Sequence, residues 1–170
     1  MDKSESLENF VVRCGEYDVK EDSKILPQQD TRIEKLIFHP DYDPTLLFLP
    51  NNLVILRTKK NFIYQKHIGP VCLPTPSDVF DNEADCWSSG WGKDQFGSGG
   101  KYSDILKKIN MNIVPHPECN DKFNKTRLKG SFKVDKSQLC VGGVEGKDTC
   151  TGDGGSPHVC VRDGKYVQVN

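Results

Sequence analysis

Short apolar runs separated by turn-forming residues dominate this chain of 170 residues. Glycine, proline, asparagine and aspartate interrupt the runs, and the periodicity of amphipathic helices is scarce, which is typical of an all-β sandwich or barrel. The run 53–56 is apolar throughout, so we expect this strand to be buried on both faces. The predicted strands are residues 11–14, 32–38, 53–56, 105–114, 138–141 and 165–169.

One segment predicts a helix, and another predicts a connector. Residues 117–123 begin with a proline, which is favourable in the first turn of a helix. Residues 76–83 are acidic and include a proline, and this shift in composition is typical of a link between two halves. The predicted organisation is therefore a first half over 1–75, the connector 76–83 and a second half over 84–170.

The composition narrows the class of protein. A net charge of −1 provides no electrostatic attraction to nucleic acid or to an anionic membrane. The seven cysteines are scattered, with no C-x-x-C pair and no His/Cys cluster at zinc spacing, which favours disulfides formed in an oxidising compartment. Because seven is odd, at least one thiol has no partner within this chain.

The start of the chain does not look like a secretory signal. Residues 1–8 are polar, and no apolar run further along is long enough to cross a bilayer. Together with the cysteine content, this predicts that the chain is a piece of a longer secreted protein whose signal peptide lies outside it. Asn124-Lys125-Thr126 forms an N-glycosylation sequon, which agrees with secretion.

Four segments together resemble the trypsin-like (chymotrypsin-fold) serine protease family. In chain order they read CLP at 72–74, CWSSGWG at 86–92, LCVGG at 139–143 and CTGDGGSP at 150–157. They follow the order and spacing of the family over residues 11–170. The resemblance implies an all-β fold of two antiparallel β-barrels, here incomplete at both termini. The halves 1–75 and 84–170 would each correspond to one barrel.

Shorter segments resemble one subgroup, the arthropod clip-domain serine protease homologues. This subgroup includes phenoloxidase-activating factor 2 and masquerade-like proteins. The matching segments read CGEYD at 14–18, GWGKDQFG at 90–97 and GDGGSP at 152–157. The resemblance implies a secreted, non-catalytic cofactor of the haemolymph cascade that leads to melanisation. Its partners would be prophenoloxidase and the separate protease that activates it.

The catalytic positions of the family are substituted in this chain. The family motif GDSGGP carries the nucleophilic serine after its aspartate, but this chain has Gly154 there, and glycine has no oxygen to attack a carbonyl. The family motif NDIALL carries the catalytic aspartate, and the matching position is Asn52. The same change in a trypsin-like enzyme lowers turnover roughly 10⁴-fold, because an amide favours the wrong imidazole tautomer.

No histidine of this chain stands in the AAHC motif that carries the catalytic histidine of the family. We therefore interpret the histidines as surface or packing residues. They are His39, His67, His116 and His158.

Ser156 is not expected to replace the missing nucleophile. It lies two residues beyond Gly154, which displaces its oxygen by roughly 6–7 Å in extended chain. A nucleophile needs its base within about 3 Å, so we expect Ser156 to fill space near a tight turn.

The resemblance also implies remnants of ligand binding. The backbone N–H groups of Gly152 and Gly154 would correspond to the oxyanion hole, and Asp148 to the residue that pairs with a substrate arginine or lysine. The alternative for Asp148 is a solvated carboxylate in a loop.

Disulfide pairing is likewise implied by the resemblance. It gives the pairs Cys86–Cys160 and Cys119–Cys140, and leaves Cys14, Cys72 and Cys150 without a partner within this chain.

The loop 16–30 is rich in carboxylates, and trypsin-like proteins often bind Ca²⁺ in the corresponding loop. We predict Glu16, Asp18 and Asp30 as possible ligands, with a solvated acidic loop as the alternative. The acidic residues of the loop are Glu16, Asp18, Glu21, Asp22 and Asp30.

Three interpretations of function remain open from the sequence. The first is a non-catalytic protease homologue that acts as a regulatory binding protein, and Gly154 together with Asn52 favours it. The second is an active trypsin-like endopeptidase, which would need a rescued nucleophile and tolerance of Asn52. The third is a truncated fragment without independent function. The first is our prediction for the parent protein, with protein partners and neither nucleic acid nor membrane.

Overall fold

The computed structural model describes residues 7–21 and 26–169. The chain divides into two units, Met1–Pro70 and Val71–Asn170. The described residues form seven β-strands in two antiparallel sheets, with one α-helix and one short 3₁₀-helix at Leu7–Asn9. The prediction of an all-β fold is confirmed, with each unit carrying an open sheet. In the part of the chain that is described, no helix is both long and apolar enough to cross a membrane.

The first unit is built on a sheet of three strands in the order β1–β2–β3. Both pairings are antiparallel, with Cys14 opposite Gln29 in the first and Phe38 opposite Val54 in the second. The sequence pattern predicts strands in all three places, and β2 starts three residues earlier than predicted. The strands are β1, Val11–Cys14; β2, Gln29–Phe38; and β3, Val54–Thr58.

The prediction that residues 53–56 are buried on both faces is wrong. Val54, Ile55 and Leu56 are exposed by 40%, 60% and 42% of their surface. Strand β3 lies at the edge of its sheet, and no second layer among the described residues of this unit covers its faces. An apolar run therefore predicts the strand correctly but not its burial, which depends on a neighbour that the run itself does not specify.

The second unit contains a sheet of four strands in the order β5–β4–β6–β7. Strands β4 and β6 form its centre, where Cys86 lies opposite Cys160 and Ser88 opposite His158. The helix α1 covers the predicted segment and has Pro117 in its first turn. The elements are β4, Cys86–Gly90; β5, Lys107–Asn110; α1, His116–Asn124; β6, His158–Arg162; and β7, Lys165–Gln168.

The predicted strand at 138–141 does not form, and the predicted strand at 105–114 shortens to Lys107–Asn110. Val141 makes only an isolated bridge with Ile113. The disulfide to Cys119 ties Cys140 to α1, and the carbonyl of Cys140 accepts a hydrogen bond from the N–H of Val114 at 2.8 Å. The segment is thus held by a covalent link and single contacts instead of a ladder.

The core of the second unit consists of two small clusters, each built around a disulfide. One contains Cys86, Ile113 and Cys160, and the other contains Val114, Cys119 and Val134. The predicted pairs Cys86–Cys160 and Cys119–Cys140 are both present. As predicted, three cysteines stay unpaired within the chain: Cys14, Cys72 and Cys150.

Arg162 on β6 holds the segment 76–83 against the four-stranded sheet of the second unit. Its guanidinium lies 4.0 Å from the ring centre of Phe80, 3.4 Å from Asp78 Oδ1 and 3.0 Å from Glu83 Oε2. The segment that the sequence predicts as a connector is therefore packed on the second sheet through one arginine.

Candidate functional site

The loop 150–157 leads directly into β6, and the carboxylate of Asp153 fixes it in place. Oδ1 accepts a hydrogen bond from the N–H of Gly92 at 2.8 Å, and Oδ2 accepts one from the N–H of Cys150 at 2.9 Å. Asp153 is half-buried, so a carboxylate that is bonded to two amides stabilises the loop more than a solvated one would. The loop is therefore anchored to the chain that follows β4.

Three glycines leave the space that this anchor needs. A Cβ added to Gly90 or to Gly92 would overlap the carboxylate of Asp153. A Cβ added to Gly152 would lie 2.6 Å from Cε1 of Tyr102, and the φ angle of Gly152 is +100°, which favours glycine. A side chain at any of these glycines would force the loop or its neighbours to move.

Gly154, by contrast, is not required by its surroundings. A Cβ added there would meet no heavy atom within 4 Å, its φ angle is not in the left-handed region, and the residue is exposed. A serine side chain would therefore fit at this position without displacing a neighbour. The glycine at 154 is therefore not explained by lack of space.

The N–H groups of Gly152 and Gly154, predicted as the remnant of the oxyanion hole, belong to exposed residues. Neither N–H donates a hydrogen bond to the described part of the chain. Each is therefore accessible to an acceptor from outside.

Ser156 takes part in the anchor of the loop. Its hydroxyl donates a hydrogen bond to the carbonyl oxygen of Ser89 on β4, and its N–H donates one to the carbonyl of Asp153 at 3.0 Å. The sequence predicts a space-filling role for Ser156 and gives no indication of this bond. Because the hydroxyl is oriented into the sheet, it is held away from the role of a surface nucleophile.

Asp148 and Asn52 are both exposed. Asp148 accepts a hydrogen bond from the N–H of Thr149 at 2.8 Å. Asn52 belongs to the first unit and stands two residues before β3, next to Asn51, whose φ angle is +57°. Asp148 as a pocket residue stays a prediction.

Every histidine of the chain has a hydrogen-bond partner within the protein, which agrees with surface and packing roles. The partners are the N–H of Asp41 for His39 at 3.1 Å, the carbonyl of Pro27 for His67 at 3.0 Å, the carbonyl of Gln138 for His116 at 2.8 Å and the hydroxyl of Ser88 for His158 at 2.8 Å.

The pair Ser88–His158 joins a hydroxyl to an imidazole outside the family's catalytic positions, and the sequence analysis did not single it out. Ser88 is 6% exposed and His158 is 2% exposed, so a substrate cannot reach them. Cys86, His158 and Cys160 also bring three potential metal-ligand atoms within 4.8 Å of one another. Both sulfurs are bonded in the disulfide, so they provide no thiolate for a metal.

Burial lowers the pKa of His158, while a hydrogen bond with the backbone of Met111 acts in the opposite direction. The unfolded state therefore binds a proton more readily than the folded state below about pH 6.5. We expect the free energy of unfolding to be constant above that pH and to fall below it, by at most about 1.4 kcal/mol per pH unit.

Urea titrations between pH 7.5 and 5 would measure this loss, with His158→Asn as the control because it cannot take up the proton. If the free energy of unfolding falls with pH equally steeply in the natural protein and in His158→Asn, the loss does not come from His158.

Arg13 on β1 contacts two carboxylates of the segment that the sequence predicts as a calcium site. Its guanidinium makes two hydrogen bonds of 2.8 Å with Asp30 and lies 3.3 Å from Glu16 Oε2. Asp18 accepts a hydrogen bond from the N–H of Lys20 at 2.9 Å. The guanidinium therefore balances two of the three predicted carboxylates, Glu16 and Asp30, and calcium binding in this loop stays a prediction. Asp22, also part of the acidic loop, lies outside the described residues.

We expect Asp153→Ala to loosen the loop 150–157. The substitution leaves the N–H groups of Gly92 and Cys150 partly buried without an acceptor, which costs about 1–3 kcal/mol for each group. Hydrogen exchange at these two amides should become faster, and the thermal midpoint should fall. Asp81→Ala is the matched control, because Asp81 is exposed and its loss should change stability by less than about 0.5 kcal/mol. An unchanged hydrogen-exchange rate at the Gly92 amide would contradict the role of Asp153 in fixing the loop.

The chain is similar to one protein family and to several curated proteins. The trypsin family pattern matches residues 3–168. The chain is 40% identical over 162 residues to inactive CLIP domain-containing serine protease A8 of Anopheles gambiae, covering 94% of the chain and 43% of that protein. It is 39% identical over 160 residues to phenoloxidase-activating factor 2 of Galleria mellonella, covering 92% of the chain and 52% of that protein. It is 32% identical over 170 residues to the Spaetzle-processing enzyme of Drosophila melanogaster, covering 92% of the chain and 40% of that protein. The chain thus spans about half the length of these curated relatives.

Proposed function

This chain belongs to the trypsin family, and we propose that the protein carrying it is a non-catalytic homologue that regulates a protease cascade. We infer that it is secreted into arthropod haemolymph and assists a separate, active protease in the activation of prophenoloxidase. Relatives named as inactive clip-domain proteases and as a phenoloxidase-activating factor support this proposal.

Gly154 is the observation that carries the proposal. Acyl transfer in this family begins with a side-chain oxygen that attacks the carbonyl carbon, and glycine has none. The nearest hydroxyl in the loop, on Ser156, is bonded to the carbonyl of Ser89. Asn52 removes the carboxylate that would orient and stabilise an imidazolium. Cleavage is therefore lost at two positions that lie apart in the sequence.

Binding is the activity that the remaining groups support. The exposed N–H groups of Gly152 and Gly154 can donate hydrogen bonds to a peptide carbonyl, and the exposed carboxylate of Asp148 can pair with a basic side chain. Without a nucleophile, a bound segment stays intact. We infer that the protein presents a partner to the active protease, or holds the protease itself, through this loop.

A reconstituted activation assay tests the proposal. Purified prophenoloxidase and its activating protease are combined with or without the full-length protein that contains this chain. We expect phenoloxidase activity to rise when the protein is added, and the protein alone to leave prophenoloxidase uncut. No increase would contradict the regulatory role, and cleavage by the protein alone would favour an active endopeptidase instead.

The variant Asp148→Asn tests the binding part of the proposal. Loss of the charge should weaken the stimulation, whereas Asp81→Asn, which removes an exposed charge elsewhere in the second unit, should not. Equal stimulation by both variants would exclude Asp148 from the interaction.

A further inference from the structure

The sequon at Asn124 takes no part in the proposed function and has a separate role. Asn124 is the last residue of α1 and is exposed, as are the two residues that follow it. We propose that Asn124 carries an N-linked glycan in the secreted protein. It is the single Asn-x-Ser/Thr triplet in the printed sequence, so the modification can be assigned to one residue.

The side chain of Asn124 differs from the other asparagines near it in the same unit. Asn120 Oδ1 accepts a hydrogen bond from the N–H of Val134 at 2.9 Å, and Asn110 Nδ2 donates to the carbonyls of Ala84 and Cys86 at 3.0 Å each. The amide of Asn124 makes no such bond within the described residues. A sugar on its Nδ2 therefore replaces no internal contact of the fold.

The backbone around the sequon also leaves room for a glycan. The chain leaves α1 through a turn in which the N–H of Thr126 donates to the carbonyl of Phe123 at 3.0 Å. The hydroxyl of Thr126 donates to the same carbonyl at 2.7 Å and accepts from the N–H of Leu128 at 3.2 Å. The turn lies outside both sheets, and the three residues of the sequon are exposed.

The modification is a group transfer to the side-chain amide. The co-reactant is a polyprenyl-diphosphate oligosaccharide of the secretory pathway, ending in N-acetylglucosamine. The bond from Nδ2 of Asn124 to the anomeric carbon of that sugar forms, and the bond from that carbon to the diphosphate oxygen breaks. The amide loses one proton, and the polyprenyl diphosphate leaves. No oxidation or reduction takes place.

The inference rests on secretion, which forms part of the proposed function and which the two disulfides support. It does not rest on the absence of catalysis. A glycan at the end of α1 would cover the neighbouring surface, so a partner of the protein would bind elsewhere, for example at the loop 150–157.

Expression of the full-length protein in insect cells, behind a supplied secretion leader, tests the glycan. The natural protein and three variants are collected from the medium, and the peptide containing Asn124 is examined by mass spectrometry. We expect one glycan on the natural protein and on Thr126→Ser, which keeps the sequon. We expect none at this site on Asn124→Gln and Thr126→Ala. The pair Thr126→Ser and Thr126→Ala differs chiefly in the hydroxyl, so it separates the sequon from local packing.

An unmodified Asn124 in natural protein recovered from the medium would overturn the inference. This readout needs no variant to fold and no activity. Stimulation of prophenoloxidase activation is measured separately on the natural protein and Asn124→Gln, so failure of the regulatory role and failure of the glycan give different results.

Discussion

The full-length natural protein should leave an arginine-containing chromogenic peptide uncut, whereas the double variant Asn52→Asp/Gly154→Ser should hydrolyse it. In a full-length protein that carries the histidine of the family's AAHC motif, the double variant regains a nucleophile and the carboxylate that orients its base. Gly154→Ser alone should be slower than the double variant by roughly 10⁴-fold, because Asn52 favours the wrong imidazole tautomer. Initial rates of the three proteins, after activation by the same upstream protease, measure this difference.

The structure supports this expectation at position 154. An added Cβ meets no atom within 4 Å, and the loop is held by Asp153 independently of that side chain. The matched control is Ser156→Ala in the natural protein. We expect no turnover with or without this substitution, because Ser156 is not a nucleophile. Hydrolysis by the natural protein that a serine-protease inhibitor abolishes would contradict the proposed function. An inactive double variant would show that more than two side chains separate this chain from an enzyme.

Removal of the Cys86–Cys160 disulfide should give the largest loss of stability in this chain. The two cysteines are fully buried and 74 residues apart, and chain entropy alone predicts a loss of about 4.5 kcal/mol for a loop of that length. Small domains are stable by about 5–15 kcal/mol, so the double variant Cys86→Ala/Cys160→Ala should lose about a third to nine-tenths of its free energy of unfolding. Both tryptophans, Trp87 and Trp91, lie in the second unit, so their fluorescence in a urea titration follows its unfolding.

The second disulfide is the matched comparison. Cys119 and Cys140 are 21 residues apart, for which the same relation predicts about 3.3 kcal/mol. An equal or greater loss for Cys119→Ala/Cys140→Ala would show that loop length does not determine the contribution of these bonds.

Local sequence patterns predicted a strand or helix of this chain well where the residues of that element alone determine its conformation. Residues 11–14 and 117–123 have strand and helix character of their own, and both form close to their predicted bounds. Residues 138–141 have strand character too, but a strand needs a neighbour, and the disulfide of Cys140 to α1 takes the place of one. The exposure of β3 has the same origin, because burial is a property of the layer that covers a strand.

The features of the candidate site also fall into those that a local motif indicates and those that depend on distant residues. Gly154 and Asn52 could be identified from sequence because a catalytic position is defined by its motif. The bond from Ser156 to Ser89 and the bond between Ser88 and His158 join residues 67 and 70 positions apart, and no pattern within either segment indicates them. Arg13 likewise meets Asp30 only because β1 and β2 pair in one register. Charges that suggest a metal site in sequence can be neutralised by a residue from the neighbouring strand.

The open space around Gly154 has an evolutionary consequence. The glycine codons GGT and GGC become serine codons by one base substitution, and an asparagine codon becomes an aspartate codon by one as well. Since a serine at 154 would meet no steric obstacle, a gene that encodes Gly154 by GGT or GGC produces serine variants repeatedly by mutation. If the glycine persists across populations, it does so because natural selection removes the revertants, and the lost nucleophile is then an adaptive trait. Allele frequencies at codon 154, compared with those at neutral codons of the same gene, would measure that selection.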